Sequence, residues 1–165
     1  MLLVRATKKL LERIGPPDLD DEEPDTLLGQ WYATVLFWRP QVALFVNEPT
    51  LLPILIPLAP SADLLRRFPA HVAAVLAEYG APQTLIDDET QRMREVRVGK
   101  TANRSVTGIL NEFTRLAPYY RDGDPELPEL AARLAAVPCS PLHKRHISPD
   151  REFAALLRSL TSTSD

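Results

Sequence analysis

A single cysteine, Cys139, stands in the 165 residues, so no internal disulfide can form and a reducing setting is expected. Glycine is scarce, at six residues, and none of these builds a phosphate-cradling loop. Neither a Walker-type nor a Rossmann fingerprint is present, and nucleotide binding by those folds is not expected. No charged-then-apolar leader opens the chain. Long apolar runs are missing as well. The most apolar region, residues 31–60, is broken by Arg39, Asn47, Glu48 and five prolines (Pro40, Pro49, Pro53, Pro57 and Pro60), too often for the roughly 18–20 apolar residues of a bilayer span. The expectation is a cytoplasmic protein with no membrane anchor. Nor is there a surplus of positive charge: 19 Lys+Arg against 22 Asp+Glu give −3, which argues against coating nucleic acid by bulk charge.

What the chain does have is proline, 16 residues of it, each fixing φ and removing a backbone donor. Long uninterrupted helices are excluded. With 45% hydrophobic and 25% charged residues, the composition is that of an ordinary globular chain. One domain over residues 1–160 is expected, with an acidic loop at 16–28 and a disordered tail at 161–165.

Met1–Ala6 reads as a strand, followed by a helix over Lys8–Ile14 that Thr7 can cap and Gly15-Pro16-Pro17 ends. Asp18–Asp25 carries six acids and no base, the pattern of a solvated loop; it has no turn glycine or bidentate terminal Glu of a calcium site. Trp31–Trp38, Gln41–Asn47 and Leu51–Leu58 read as an antiparallel meander. Pro53 and Pro57, on one side of the pleat, make the third run an edge strand. Both faces of such a sheet want cover. One can take the chain's helices; the other needs more helix or a second subunit, so a homodimer through the sheet stays open.

Helical spacing follows over Asp63–Tyr79, where Pro69 either kinks the helix or starts a second one, and over about Pro82–Gln91. Met93–Val98 reads as a late strand that can pair with the first. The clearest helix runs over Thr101–Tyr120, with Val106, Ile109, Leu110, Phe113, Leu116, Ala117 and Tyr120 on its apolar face. Helices around Leu127–Val137 and Asp150–Leu160 complete the chain. The class is α+β: a small, mostly antiparallel sheet, a meander plus the N-terminal and late strands, packed with helices.

Opposite the apolar face of the Thr101–Tyr120 helix, at about 100° per residue, fall Arg104, Gly108, Asn111 and Arg115, with Thr101 at the shoulder. A mid-helix glycine costs about 1 kcal/mol relative to Ala, so something is expected to approach the backbone there: another element of the fold such as the tail helix, a second subunit, or an anionic ligand held by the two arginines with Asn111 as an amide reader. Residues 91–121 carry seven bases against two acids, and the first thirteen residues four against one. Pairing of the first and last strands would bring these segments together, with Arg94, Arg97, Lys100, Thr101, Asn103 and Arg104 offering donors to an anion at a helix N-terminus.

Thr7-Lys8-Lys9-Leu10-Leu11, Trp31-Tyr32-Ala33, Phe45-Val46-Asn47-Glu48 and the pattern T-x-x-R-S-x-x-G-x-x-N-x-F over Thr101–Phe113 together resemble a bacterial family that carries only a domain-of-unknown-function label. The similarity covers residues 1–118. It implies a compact bacterial cytoplasmic domain with Thr101, Arg104, Ser105, Gly108, Asn111 and Phe113 at signature positions, and it implies no activity.

Other constellations are weaker. Cys139, His143 and His146 offer three zinc ligands, but Lys144 and Arg145 stand among them and no second ligand pair has the spacing of a structural site. Cys139 as a nucleophile, or Ser105 without a G-x-S-x-G elbow, has no supporting context. No metal and no cofactor are expected. The reading that results is a non-catalytic binding or regulatory module for an anionic ligand or protein partner, its surface formed by Lys100, Thr101, Arg104, Ser105, Gly108, Asn111 and Arg115 and flanked by Lys8 and Lys9. The alternative is an enzyme acting on a phosphate-containing or nucleic-acid substrate, with His143 or His146 as general base. Nucleic acid as a partner has little support, because no aromatics are interleaved with the bases.

Overall fold

A computed structural model of the chain describes residues 1–18, 22–139 and 147–162. Its sheet has five strands in the order β4-β3-β2-β1-β5. The first strand, β1 (Leu2–Ala6), is apolar except for Arg5 and sits between two parallel neighbours: β2 (Trp31–Leu36), with Val4 opposite Trp31, and β5 (Val96–Lys100), with Val4 opposite Val98. From β2 the chain turns back into β3 (Val42–Asn47) and β4 (Pro53–Pro57), the expected antiparallel meander. The class is α+β as the sequence predicts, but the sheet is mixed. Parallel neighbours need long crossovers, and helical segments supply them between β1 and β2 and between β4 and β5.

Both sheet edges are closed by particular residues. Asn47 donates its N–H to the Leu52 carbonyl, and Leu58 donates to Gln41. By alternation, Ile54 and Ile56 are the β4 residues bonded to β3, so Pro53 and Pro57 face outward and deprive the ladder of no bond. On the other edge, the Asp18 N–H donates to the Val98 carbonyl at 2.8 Å while its carboxylate accepts from the Val98 N–H at 2.7 Å. The acidic loop is thus tied down at both ends, since Asp25 pairs with the N-terminal amine. Both anchors stay exposed, as expected of a solvated loop, while each carboxylate also meets a fixed donor. Leu19–Asp21 lie outside the described residues.

Each face of the sheet has its own core. Against the first pack α1 (Lys8–Ile14) through Leu10, α2 (Leu64–Glu78) through Leu64, Phe68, Val72 and Leu76, α3 (Gln83–Arg92) through Leu85 and Ile86, and α6 (Pro149–Ser162) through Phe153 and Leu157. Phe68 stacks on Phe45 at 4.0 Å and meets Trp31 edge-on at 5.1 Å. This continuous apolar stripe keeps α2 a single helix through Pro69, outweighing the one bond the proline removes. Against the second face pack α4 (Arg104–Leu116) and α5 (Leu127–Ala135), over Tyr32, Leu36, Val42, Leu44, Val46 and Leu55. Both faces are therefore covered by the chain's own helices. The helix expected over Thr101–Tyr120 starts later, at Arg104, and finishes as a 3₁₀ turn over Ala117–Tyr120. Thr161 and Ser162, expected to fray, are the end of α6. Among the described residues no helix is long and apolar enough to cross a membrane.

Buried polar groups fix the entry to β2. Glu89 of α3 is wholly buried, and its two carboxylate oxygens accept from Leu27 N–H at 2.7 Å and Leu28 N–H at 3.0 Å. Asn47 donates from Nδ2 to the Leu28 carbonyl and accepts at Oδ1 from Thr50, whose hydroxyl oxygen accepts from Leu52 N–H. One turn is thereby clamped between a helix and a hairpin. Burial raises the Glu89 carboxyl above its ordinary range, against the opposing pull of the two N–H donors.

Glu89→Ala is expected to lower stability by about 2–4 kcal/mol in urea denaturation, since two N–H groups lose their acceptors. A folded value above the unfolded 4.5 means that Glu89's contribution is complete below that pH and declines as pH rises through the folded value. Wild-type stability measured from acid to neutral pH should therefore fall relative to that of Glu89→Gln.

Candidate functional site

The segment that joins β5 to α4 carries the chain from the sheet edge onto the second face. Lys100, the exposed last residue of β5, accepts at its carbonyl from the Arg5 guanidinium at 2.9 Å. Thr101, half-buried, lies in the connection and not on the helix, which separates it and Lys100 from the stripe they were expected to share. Asn103 then donates its N–H to the buried Tyr32 hydroxyl at 2.8 Å, and its Oδ1 accepts from Ser105 N–H at 2.9 Å and Val106 N–H at 3.3 Å. Thr107 returns both its N–H and its hydroxyl to the Asn103 carbonyl. An asparagine N-cap of this kind satisfies the first-turn donors internally. The amides expected to receive an anion at this helix N-terminus are therefore in use.

The helix divides the signature residues by duty. Val106, Ile109, Leu110 and Phe113 are buried against the sheet; Asn103 and the Ser105 amide form the cap. Arg104, Gly108, Asn111 and Arg115 all lie exposed on the outer face. A Cβ built at Gly108 would meet nothing within 4 Å, so none of the described residues approaches the backbone there. The tail helix α6 packs on the other face of the sheet and cannot cover this one.

The parallel β1–β5 pairing does bring the two basic segments together, yet much of their charge is engaged. Arg5 lies across Gly99, 3.4 Å from the position a Cβ would take there, and bonds Gln30, which in turn bonds Glu48. Arg92 pairs with Asp88 at 2.9 Å and Arg97 with Glu95 at 3.0 Å. Lys100, Arg104 and Arg115 make no side-chain hydrogen bond or ion pair among the described residues. Lys8 and Lys9, expected to flank the stripe, belong to α1 on the opposite face, with Lys9 Nζ 5.7 Å from the centre of the Phe37 ring.

The catalytic alternatives fare differently. His143 and His146 lie outside the described residues. His71 lines an apolar cavity of about 210 Å³ between α2, β4 and α5, at the sheet edge opposite Lys100, about four strand spacings or 19 Å away. Burial pushes the Cys139 thiol up to about 12, so it stays protonated as a small core side chain. Sequence reading missed Glu89 and the duty of Asn47. Nothing local marks Glu89 as buried, because its partners lie about 60 residues away in the chain.

Residues 3–152 match the family described as Domain of unknown function (DUF6933), and the chain belongs to that family. The match runs through α5 into α6, beyond residue 118, where the resemblance of short motifs stops. No curated protein and no solved structure matches the chain.

Gly108→Ala is expected to raise stability by about 0.5–1 kcal/mol, because the position is helical, interior and open; a Tm below wild type would contradict an open face. Asn103→Ala should cost about 1 kcal/mol and Asn103→Asp much less, read by chemical denaturation.

Proposed function

We propose that this DUF6933 chain is a non-catalytic binding or regulatory module of the bacterial cytoplasm that recognises an anionic ligand or partner through the outer face of α4. The observation that carries this reading is the outer face of α4. Arg104, Gly108, Asn111 and Arg115 are exposed there and, among the described residues, unpartnered, on a helix whose core face and cap are otherwise engaged. Two guanidiniums and an amide on one rigid face suit carboxylate or phosphate oxygens, which accept bidentate donors. Gly108, between them, lets a ligand reach the helix backbone. Lys100 and Thr101, at the end of β5, extend the donor set toward the sheet. The enzyme reading draws no support from the described residues, where the one histidine sits at the far edge of the sheet.

Arg104→Glu combined with Arg115→Glu should abolish retention on heparin at low salt while leaving the thermal midpoint within a few degrees of wild type, as exposed substitutions do. Unchanged retention sinks the reading.

A further inference from the structure

Among the described residues two large apolar side chains are exposed, Phe37 at 55% and Tyr119 at 78%; the rest are buried or half-buried. The strand expected over Trp31–Trp38 stops at Leu36, which leaves Phe37 and Trp38 projecting from the end of β2 on opposite sides of the sheet. The Arg121 guanidinium stacks 4.1 Å from the centre of the Trp38 ring, and Tyr119 is two residues before Arg121. Lys9 stands over Phe37. The two exposed rings and both cation–ring pairs thus gather at one end of the sheet.

The stripe on α4 leads to this end. Tyr119 follows Arg115 by four residues in the 3₁₀ turn that continues the helix, so Arg104, Gly108, Asn111, Arg115 and Tyr119 form a track of roughly 20 Å at 1.5 Å per residue. Acids border it: Glu112 on the half-buried flank of α4, Asp122 and Asp124 beyond Arg121, and Glu12 on α1. The positive track is therefore confined to the outer face of α4 and the rim at Phe37. Aromatic faces alternating with unpaired cations are what a single strand of nucleic acid needs, because bases stack on rings while the backbone follows the charge. A duplex hides the faces of its bases and has no use for exposed rings. The sequence holds no such interleaving; the fold creates it by setting the end of β2 beside the end of α4.

We propose that the anionic ligand is single-stranded nucleic acid, its phosphates along Arg104 and Arg115 and its bases stacked on Tyr119 and, past the rim of the sheet, on Phe37. This rests on the anion-binding reading above and specifies its ligand. The test uses the full chain and a fluorescein-labelled oligothymidylate of about 15 nucleotides, followed by fluorescence anisotropy over a salt series. Wild type should bind. Phe37→Ala and Tyr119→Ala should each weaken binding about tenfold with the salt slope unchanged, and Tyr119→Trp should retain it. Arg104→Glu with Arg115→Glu should flatten the slope by about two. Melting curves establish that each variant is folded. If wild type is retained on heparin but ignores the oligonucleotide, or binds a duplex of equal length as well and the alanine variants change nothing, the single-strand proposal falls and the anion reading stands. Loss of heparin retention as well overturns both.

Discussion

The arrangement of this molecule depends on β1 being hydrogen-bonded in parallel on both sides. A strand with two parallel neighbours forces the chain to leave the sheet and return from the same end each time. Here α1 and the acidic loop make one return and α2 with α3 the other, both on the first face. After β5 the chain passes to the second face, where α4 and α5 form the cover over β2, β3 and β4. Among the described residues the first face carries four α-helices and the second two. The outer face of α4 meets none of them, and that is where Arg104, Asn111 and Arg115 stand.

Polar residues fall into two groups with opposite behaviour. Glu89, Asn47 and Tyr32 are buried and bonded to backbone groups of segments distant in sequence, and Thr50 braces Asn47 from within the hairpin; they hold the turn before β2, the β3–β4 hairpin and the start of α4 in register. In a low-dielectric interior such groups are tolerated only when satisfied, and each of these has its partners. The cations of α4 are exposed and, among the described residues, have none. Asn103 and Arg104, side by side at the start of α4, thus join architecture to a surface.

Much of the fold was legible in the chain. Apolar, β-branched and aromatic runs broken at Arg39-Pro40 and Glu48-Pro49-Thr50 located the meander, a period of 3.6 located the helices, and the parity of Pro53 and Pro57 marked the edge strand. The parallel pairing of β1 with β2 left no local trace, since register between strands so far apart is decided by how the crossovers pack. The start of α4 was placed too early for a similar reason. Thr101 is a plausible cap by type, but the Tyr32 hydroxyl that anchors Asn103 belongs to another strand. For the candidate site, the angular stripe on α4 was readable from spacing alone, because helical geometry is local. Whether Gly108 faced open solvent or a packed neighbour was not, since that depends on which face α6 chooses. The exposed rings were hidden in what read as the end of a strand, Phe37, and the end of a helix, Tyr119.

The closed edges have a meaning for how the protein behaves in company. An unpaired strand edge is a template on which a second copy can extend the sheet, and from there a fibril. On β4 the outward positions alternate proline, leucine, proline, so an incoming strand would find a single donor; on β5 the outward groups of Val98 are occupied by Asp18. Each edge therefore offers an incoming strand an interrupted ladder: prolines alternate along β4, and the middle of β5 is already bonded to Asp18.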